Sequence, residues 1–364
     1  MSKIICILVI IGSFLSGNPL YAQSELPVEA SSVETFFQIA DKLASGKQPT
    51  EREWNALFET QGYKKAIVET FDERADYTRR VMEVTFDPEK VGMIDIIMNV
   101  PITEILSDME ALLMRVMLKN FLDMKEHREA IKKQIQTIDQ TQLPVKAAER
   151  LRNFLVNPID SLIAPIPISL ICMEPDALSL SGRIVWDCNL FRIQTEEEKV
   201  DLMAHEMYHA YRRHFFSESK ASNLMQLLNL WNNEGIADLI DKKSVSDLSS
   251  AFIRFGLPES YVEAYNEVYD STPRMLKDLE KVTLSFIRNE ISEDQFNLKL
   301  SGFIQYGGHP NGYYMTTAIK NAGFEEDLIR NFASPVEFMK LYNKSVPKEY
   351  QLSSEFMDYL DTIQ

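Results

Sequence analysis

Cysteine and histidine are scarce in this sequence, with 3 cysteines and 5 histidines among its 364 residues. So few cysteines exclude a disulfide-rich scaffold and a zinc site built from four thiolates. Basic residues are in deficit as well, because 38 Lys and Arg stand against 54 Asp and Glu, which gives a net charge of −16. A protein that binds phosphate backbones needs a basic surface, so we expect no nucleic-acid partner.

Long hydrophobic runs are also missing, apart from a twelve-residue apolar run at residues 4–15 that follows Lys3. A bilayer-spanning helix needs about 20 such residues, whereas this length suits the central part of a secretory signal peptide. We predict a signal peptide over residues 1–22, cleaved after Ala22, with an uncleaved anchor as the alternative. The mature protein is then exported, periplasmic or secreted, and has no membrane span.

Removal of the signal peptide takes Cys6 away and leaves Cys172 and Cys188. In an oxidising compartment these two residues can form a disulfide. Two buried free thiols are the alternative, since unpaired cysteine packs as a small apolar residue. The sequence leaves both states open.

Helical patterns dominate the remaining chain, and only one short region before its centre has strand character. Apolar residues recur at helical spacing behind several capping signals, in which Ser or Thr is followed three residues later by Glu. These signals are Ser31 with Glu34, Thr50 with Glu53, Thr195 with Glu198, and Ser334 with Glu337. We predict a helix-dominated α+β fold with an N-terminal helical region (23–160), a core with a small sheet (161–245) and a C-terminal helical region (246–364).

Two stretches in the central region are predicted strands. Residues 168–173 are mostly apolar and lie between prolines and a turn sequence at 174–176, while apolar and polar side chains alternate in residues 183–190. Such alternation is typical of a strand with one buried face. The small sheet therefore directly precedes the helix that begins after Thr195.

That helix contains the motif His205-Glu206-x-x-His209. Residues four apart lie on the same helix face, so the two imidazoles can direct nitrogens at one metal ion. Glu206 is adjacent to the first ligand and can contact a metal-bound water, which is the position of a general base. Two core histidines without a metal are the structural alternative.

A third ligand is predicted 25 residues after His209, at Glu234. Two histidines and a carboxylate form a zinc ligand set that leaves the fourth position open. Asp238 lies one helical turn later and is predicted to accept the free N–H of a ligand imidazole. The other candidate ligand, His214, is one position short of the spacing that a third histidine would need. We therefore predict one zinc ion (Zn²⁺) bound by His205, His209 and Glu234. The alternative for Glu234 and Asp238 is that they belong to a solvated acidic helix face without a metal.

These motifs resemble those of the thermolysin-like metallopeptidases called gluzincins, and in particular a group of bacterial proteins described as zinc-dependent peptidases. The resemblance lies in the His-Glu-x-x-His motif and in Asn233-Glu234-Gly235-x-Ala-Asp238. It implies a zincin-like fold and a peptidase in which a zinc-bound water, polarised by Glu206, attacks a peptide carbonyl. It also implies that a strand ahead of the motif helix, here residues 183–190, pairs with the extended substrate.

Attack on a carbonyl creates an oxyanion, which a further hydrogen-bond donor usually stabilises. His309 is the predicted donor, because related zinc peptidases commonly have a tyrosine at the matching place before a Gly-Tyr-x-Met pattern. Tyr306, Tyr313 and Tyr314 are alternative donors, and a loop histidine without a catalytic role is the remaining interpretation of His309.

The predicted function is an exported zinc metallopeptidase with a peptide or protein substrate, and the oligomeric state stays open. The alternative is a non-catalytic peptide- or cell-wall-binding module that retains a structural zinc. Structural zinc sites usually have four protein ligands, and no fourth is evident in the sequence. Hydrolysis of a non-peptide amide would use the same metal site.

Overall fold

The structure is a computed structural model that describes residues 28–70, 72–100, 109–138, 142–156, 158–163, 166–180, 182–216, 221–244, 257 and 259–363. The predicted signal peptide at residues 1–22 lies outside these ranges. Within them, no helix combines the length and the apolar character of a bilayer-crossing segment.

Helices make up most of the described chain, which confirms the helix-dominated α+β fold. Those ahead of the sheet are α1 (Ser31–Ala44), α2 (Glu51–Phe58), α3 (Gln61–Tyr63) continuing into a π-helical turn (Lys64–Val68), α4 (Arg74–Phe86), α5 (Gly92–Met98), α6 (Met109–Glu126), α7 (Arg128–Thr137) and α8 (Gln142–Arg152). Those after it are α9 (Cys188–Ile193), α10 (Glu196–Arg212), α11 (Asn223–Asp241), α12 (Glu259–Ile287), α13 (Glu293–Ser301), α14 (His309–Asn321), α15 (Glu325–Arg330), α16 (Pro335–Ser345) and α17 (Ser354–Thr362).

Three of the four predicted capping signals are confirmed. Thr50 and Thr195 each form a complete capping box with the Glu three residues later, and the Ser334 side chain accepts the backbone N–H of Glu337. The prediction for Ser31 is wrong, because it is the first residue of α1 and its hydroxyl donates to the Glu29 carboxylate. The backbone of Glu29 is in turn fixed by hydrogen bonds with Ile168 and Leu170, so the chain enters α1 directly from this bridge.

The sheet has three strands, β1 (Ile168–Ile171), β2 (Ala177–Leu180) and β3 (Arg183–Asp187), in the order β1-β3-β2. β1 pairs with β3 in parallel, and β2 pairs with β3 antiparallel. Strand β2 is not among the strands predicted from the sequence. The predicted extension of the last strand to residue 190 is wrong, because Asp187 accepts the N–H groups of Asn189 and Leu190 and so starts α9.

The expectation that residues 183–190 form the substrate-binding edge is wrong as well. β3 is the central strand, with neighbours on both sides, so its backbone groups are already paired. The outer strand that packs against the motif helix α10 is β2. Arg213, the residue that caps the end of α10, donates to the backbone oxygen of Ser179 at 2.9 Å and to its hydroxyl at 2.7 Å.

Two helices, α11 and α14, approach each other closely through glycine. A Cβ atom added to Gly235 would lie 2.3 Å from the backbone oxygen of Gly312, and one added to Gly312 would lie 2.3 Å from the backbone oxygen of Trp231. The hydroxyl of Thr316 donates to the Gly235 oxygen at 3.0 Å and stabilises the crossing. Because Glu234 precedes Gly235 and His309 begins α14, this crossing fixes the separation of the two.

Candidate metal and catalytic site

The motif helix α10 presents both of its histidines to one side. The rings of His205 and His209 are 4.8 Å apart between centroids, with an angle of 82° between their planes. The opposite side of the helix is buried in the hydrophobic core through Met203 and Met207. Packing of that side orients the helix, so the imidazoles face α11.

Glu234 on α11 completes a group of three potential metal ligands. Its Oε2 atom lies 3.4 Å from Nε2 of His209 and 3.9 Å from Nε2 of His205, and the three ligand atoms all lie within 4.8 Å of one another. A tetrahedral zinc ion with bonds of about 2.0–2.1 Å holds its ligand atoms roughly 3.3 Å apart. The structure therefore brings the three predicted ligands together at nearly the spacing that one ion requires.

The Nδ1 side of His205 is oriented by Asp241, which is not among the predicted site residues. Asp241 Oδ1 lies 3.0 Å from Nδ1 of His205, whereas the nearer carboxylate oxygen of Asp238 is 3.9 Å away. Asp241 also pairs with Lys242. Helical spacing is the sequence signal that points to Asp241. Asp238 and Asp241 follow Glu234 by four and seven residues, so all three share one face of α11.

Asp238 lies against His309 instead. Its two carboxylate oxygens are 3.0 and 3.1 Å from Nδ1 of His309, and Nε2 of the same ring lies 3.6 Å from Glu234 Oε2. Asp238 is fully buried, while the side chain of His309 is 33% exposed, more than that of His205, His209 or Glu234. His309 thus lies on the more accessible side of the cluster, where a substrate would approach.

A left-handed backbone segment places His309 at the start of α14. Tyr306, Gly307 and Gly308 have φ values of 44°, 75° and 81°. Glycine adopts such angles freely, whereas the tyrosine is strained there. Tyr306 is buried in an aromatic cluster, with its ring 5.1 Å from those of Tyr261 and Tyr265, and its hydroxyl has no hydrogen-bond partner among the described residues.

Glu206 lies between the motif helix and strand β2. It is 5% exposed, and the nearby backbone of Ser179 favours its charged form. Burial is the main cause that raises the pKa of Glu206, and the negative charge of Glu234 adds to it, while the imidazoles of His209 and His205 oppose the shift. A raised pKa suits a carboxylate that takes up a proton during a reaction near neutral pH.

Carboxylates set the electrostatics of the cluster. Burial lowers the pKa of His205 and of His309, but neighbouring carboxylates together outweigh it and raise these values to about 9 and about 10. Conversely, burial raises the pKa of Glu234, but the surrounding imidazoles outweigh it and lower the value to about 2. The cluster thus favours positive charge at its centre, which a divalent cation would supply in place of the protons.

The donor set fits zinc by chemistry as well as by spacing. Imidazole nitrogens and a carboxylate oxygen are ordinary zinc ligands. The hydrogen bond between His205 Nδ1 and Asp241 leaves Nε2 of that ring directed at Glu234, which is the tautomer that a metal ligand needs. Nδ1 of His209 is buried without a hydrogen-bond partner in the described part of the chain, so the polar partner of this ring lies on its Nε2 side.

A comparison with protein families agrees with this chemistry. Residues 54–351, well over half of the chain, match the model of a family described as "Putative zinc dependent peptidase (DUF5700)". The chain belongs to this family. Searches of curated proteins and of solved structures each found no significant match. Membership of DUF5700 indicates a zinc-dependent peptidase, and both the family and the cluster of His205, His209 and Glu234 are compatible with one zinc ion.

Proposed function

We propose that this member of DUF5700 is an exported, gluzincin-like zinc peptidase that hydrolyses peptide bonds with Glu206 as the general base. The observation that carries the proposal is the convergence of His205, His209 and Glu234, with the buried Glu206 next to them on the motif helix. Export rests on the apolar run at residues 4–15 of the sequence.

The chain's own residues have distinct roles in this proposal. Zinc bound to the three ligands would polarise the substrate carbonyl and lower the pKa of a water to about 7. Glu206 accepts a proton from the attacking water and later delivers it to the leaving amine. His309, held through Nδ1 by Asp238, directs Nε2 toward the place where negative charge develops on the carbonyl oxygen.

Strand β2 is the proposed partner of the substrate backbone. It is the outer strand next to α10, and Ser179 in it contacts both Glu206 and Arg213. An extended peptide that pairs with an outer strand gains main-chain hydrogen bonds. A substrate on β2 would pass directly beside the general base, whereas the central strand β3 has no free edge.

One observation favours the alternative of a structural zinc in a non-catalytic binding module. Nε2 of His309 lies 3.6 Å from Glu234 Oε2, close to the spacing of two ligands of one ion. If His309 were a fourth ligand, the site would be closed. The exposure of its side chain and its hydrogen bond to Asp238 are equally consistent with a donor to the substrate, and the buried Glu206 has a use only in catalysis.

The proposal is tested by measuring zinc content and peptide cleavage on the same purified protein. We expect about one zinc per chain and cleavage of a diverse peptide library, with cleavage lost after chelation and restored by zinc. The matched comparison is Glu206→Gln, which should retain zinc and lose cleavage. Full zinc occupancy without cleavage of any peptide would favour the binding module instead.

A further inference from the structure

Two buried thiols lie side by side at the end of the sheet. Cys172 directly follows β1 and Cys188 directly follows β3, and the parallel register pairs the preceding residues, Ile171 and Asp187. This alignment brings the two following residues to the same end of the sheet. The two Sγ atoms are accordingly 3.5 Å apart, and the structure describes both residues as free cysteines, 0% and 2% exposed.

The backbone around both residues is held in this arrangement. The hydroxyl of Tyr63 donates to the backbone oxygen of Cys172 at 2.6 Å, and the Asp187 carboxylate accepts the N–H of Met173 at 3.1 Å. A disulfide needs an S–S distance of about 2.05 Å and adjacent backbones. The two sulfurs, 3.5 Å apart, are in van der Waals contact and about 1.5 Å farther apart than in such a bond.

We propose that Cys172 and Cys188 form a disulfide bond in the mature protein. The oxidant is a small-molecule or protein disulfide: one cysteine thiolate attacks it, the second attacks the mixed disulfide, and the oxidant leaves as two thiols with the two protons. Burial raises the pKa of both thiols, so this exchange occurs during folding, before the sheet closes over them.

The bond would constrain the part of the sheet that borders the candidate active site. The chain between the two cysteines contains β2 and β3, including Ser179, which contacts Arg213 and Glu206. Closing a loop of this size reduces the conformational freedom of the unfolded chain. The disulfide therefore stabilises the strand beside the general base, and it does so whether or not the protein cleaves peptides.

The test is thiol labelling of the chain without Cys6, obtained by export with its own leader and, separately, by refolding residues 23–364 with oxidised and reduced glutathione. The protein is unfolded with N-ethylmaleimide present and its intact mass is measured. We expect no label on Cys172 or Cys188 before reduction and two labels after it. Two labels before reduction, in the refolded or in the exported protein, would overturn the proposal. Cys188→Ala, which leaves one thiol and should take one label, verifies that Cys172 reacts once unfolded.

A second measurement separates the bond from a mere contact of thiols. Reductant should lower the Tm of the wild type, on the order of 5 °C for a loop of this length in a chain of this size. The double variant Cys172→Ala/Cys188→Ala should show no response to reductant. An equal, unchanged Tm of the wild type with and without complete reduction would also contradict the proposal.

Discussion

The Nδ1 atom of His309 lies 3.0 Å from a carboxylate oxygen of Asp238. Asp238 is thus the hydrogen-bond partner of a histidine outside the group of three proposed ligands, while Asp241 lies beside His205, one of those three. The two carboxylates are three residues apart on α11, and each is the hydrogen-bond partner of a different histidine of the site. Asp241 orients the proposed metal ligand His205, and Asp238 orients His309, the residue proposed to contact the substrate.

These contacts predict that two matched substitutions affect different quantities, zinc affinity in one case and kcat in the other. Asp241→Asn removes the charge that holds His205 and should weaken zinc affinity by about 10–100-fold. Asp238→Asn should leave zinc affinity within a few-fold of wild type and lower kcat, because only His309 loses its partner. Zinc titration with a competing chelator, together with steady-state kinetics, measures both. A loss of zinc affinity from Asp238→Asn but not from Asp241→Asn would reverse the assignment.

Replacement of Glu206, the proposed general base, should separate metal binding from turnover. Glu206→Gln keeps the shape of the side chain but cannot accept a proton, so kcat should fall by about 10²–10⁴-fold with zinc content unchanged. Glu197→Gln is the control, since this residue is on the exposed first turn of the same helix. Cleavage by the Glu206 variant at the wild-type rate would remove that residue from the mechanism.

Two of the four candidate oxyanion donors, His309 and Tyr306, can be distinguished by deleting one polar group at a time. His309→Phe should lower kcat by roughly 10²–10³-fold, the cost of losing an oxyanion donor, with zinc retained. Tyr306→Phe should leave kcat unchanged and stability unchanged or slightly higher, because it removes a buried hydroxyl without a hydrogen-bond partner in the described structure. Loss of zinc from His309→Phe would instead identify His309 as a fourth ligand and favour the binding module.

The glycine crossing of α11 and α14 should be intolerant of even one methyl group. Gly312→Ala places a Cβ 2.3 Å from the backbone oxygen of Trp231, so the helices must separate at a cost of about 1–3 kcal/mol. Chemical denaturation measures this loss, and kcat should fall too because His309 moves with α14. The control is Gly92→Ala in α5, where nothing lies within 4 Å of the added atom. Equal stability of both variants would show that the crossing is looser than described.

Local features of the fold could be predicted from the sequence because they depend on contacts within one helical turn. The capping boxes at Thr50 and Thr195 are examples, and the Thr195 box fixes the start of the motif helix. The prediction for Ser31 was wrong because a tertiary contact competes with the cap. The backbone of Glu29 pairs with β1, and its carboxylate accepts the hydrogen bond of the Ser31 hydroxyl. Strand β2 was missed because its four residues are too short to show a clear alternation.

Long-range relationships in the site could be predicted only in part. The spacing of His205 and His209 indicates a shared face, but the approach of Glu234 depends on how α11 packs against α10. The partner of Asp238, His309, depends on where α14 lies, which the glycine crossing sets, while the partner of Asp241, His205, depends on how α11 packs against α10. A helical projection of α11 would have identified Asp241 as a candidate, since it lies two turns after Glu234.

The central claim is that one zinc ion binds between His205, His209 and Glu234. A crystal of the zinc-loaded protein, with diffraction data collected on both sides of the zinc absorption edge, locates the ion directly. The account predicts a single anomalous peak about 2.0–2.2 Å from Nε2 of both histidines and from a carboxylate oxygen of Glu234. A peak at any other group of side chains, or none in that cluster at full zinc loading, would contradict it.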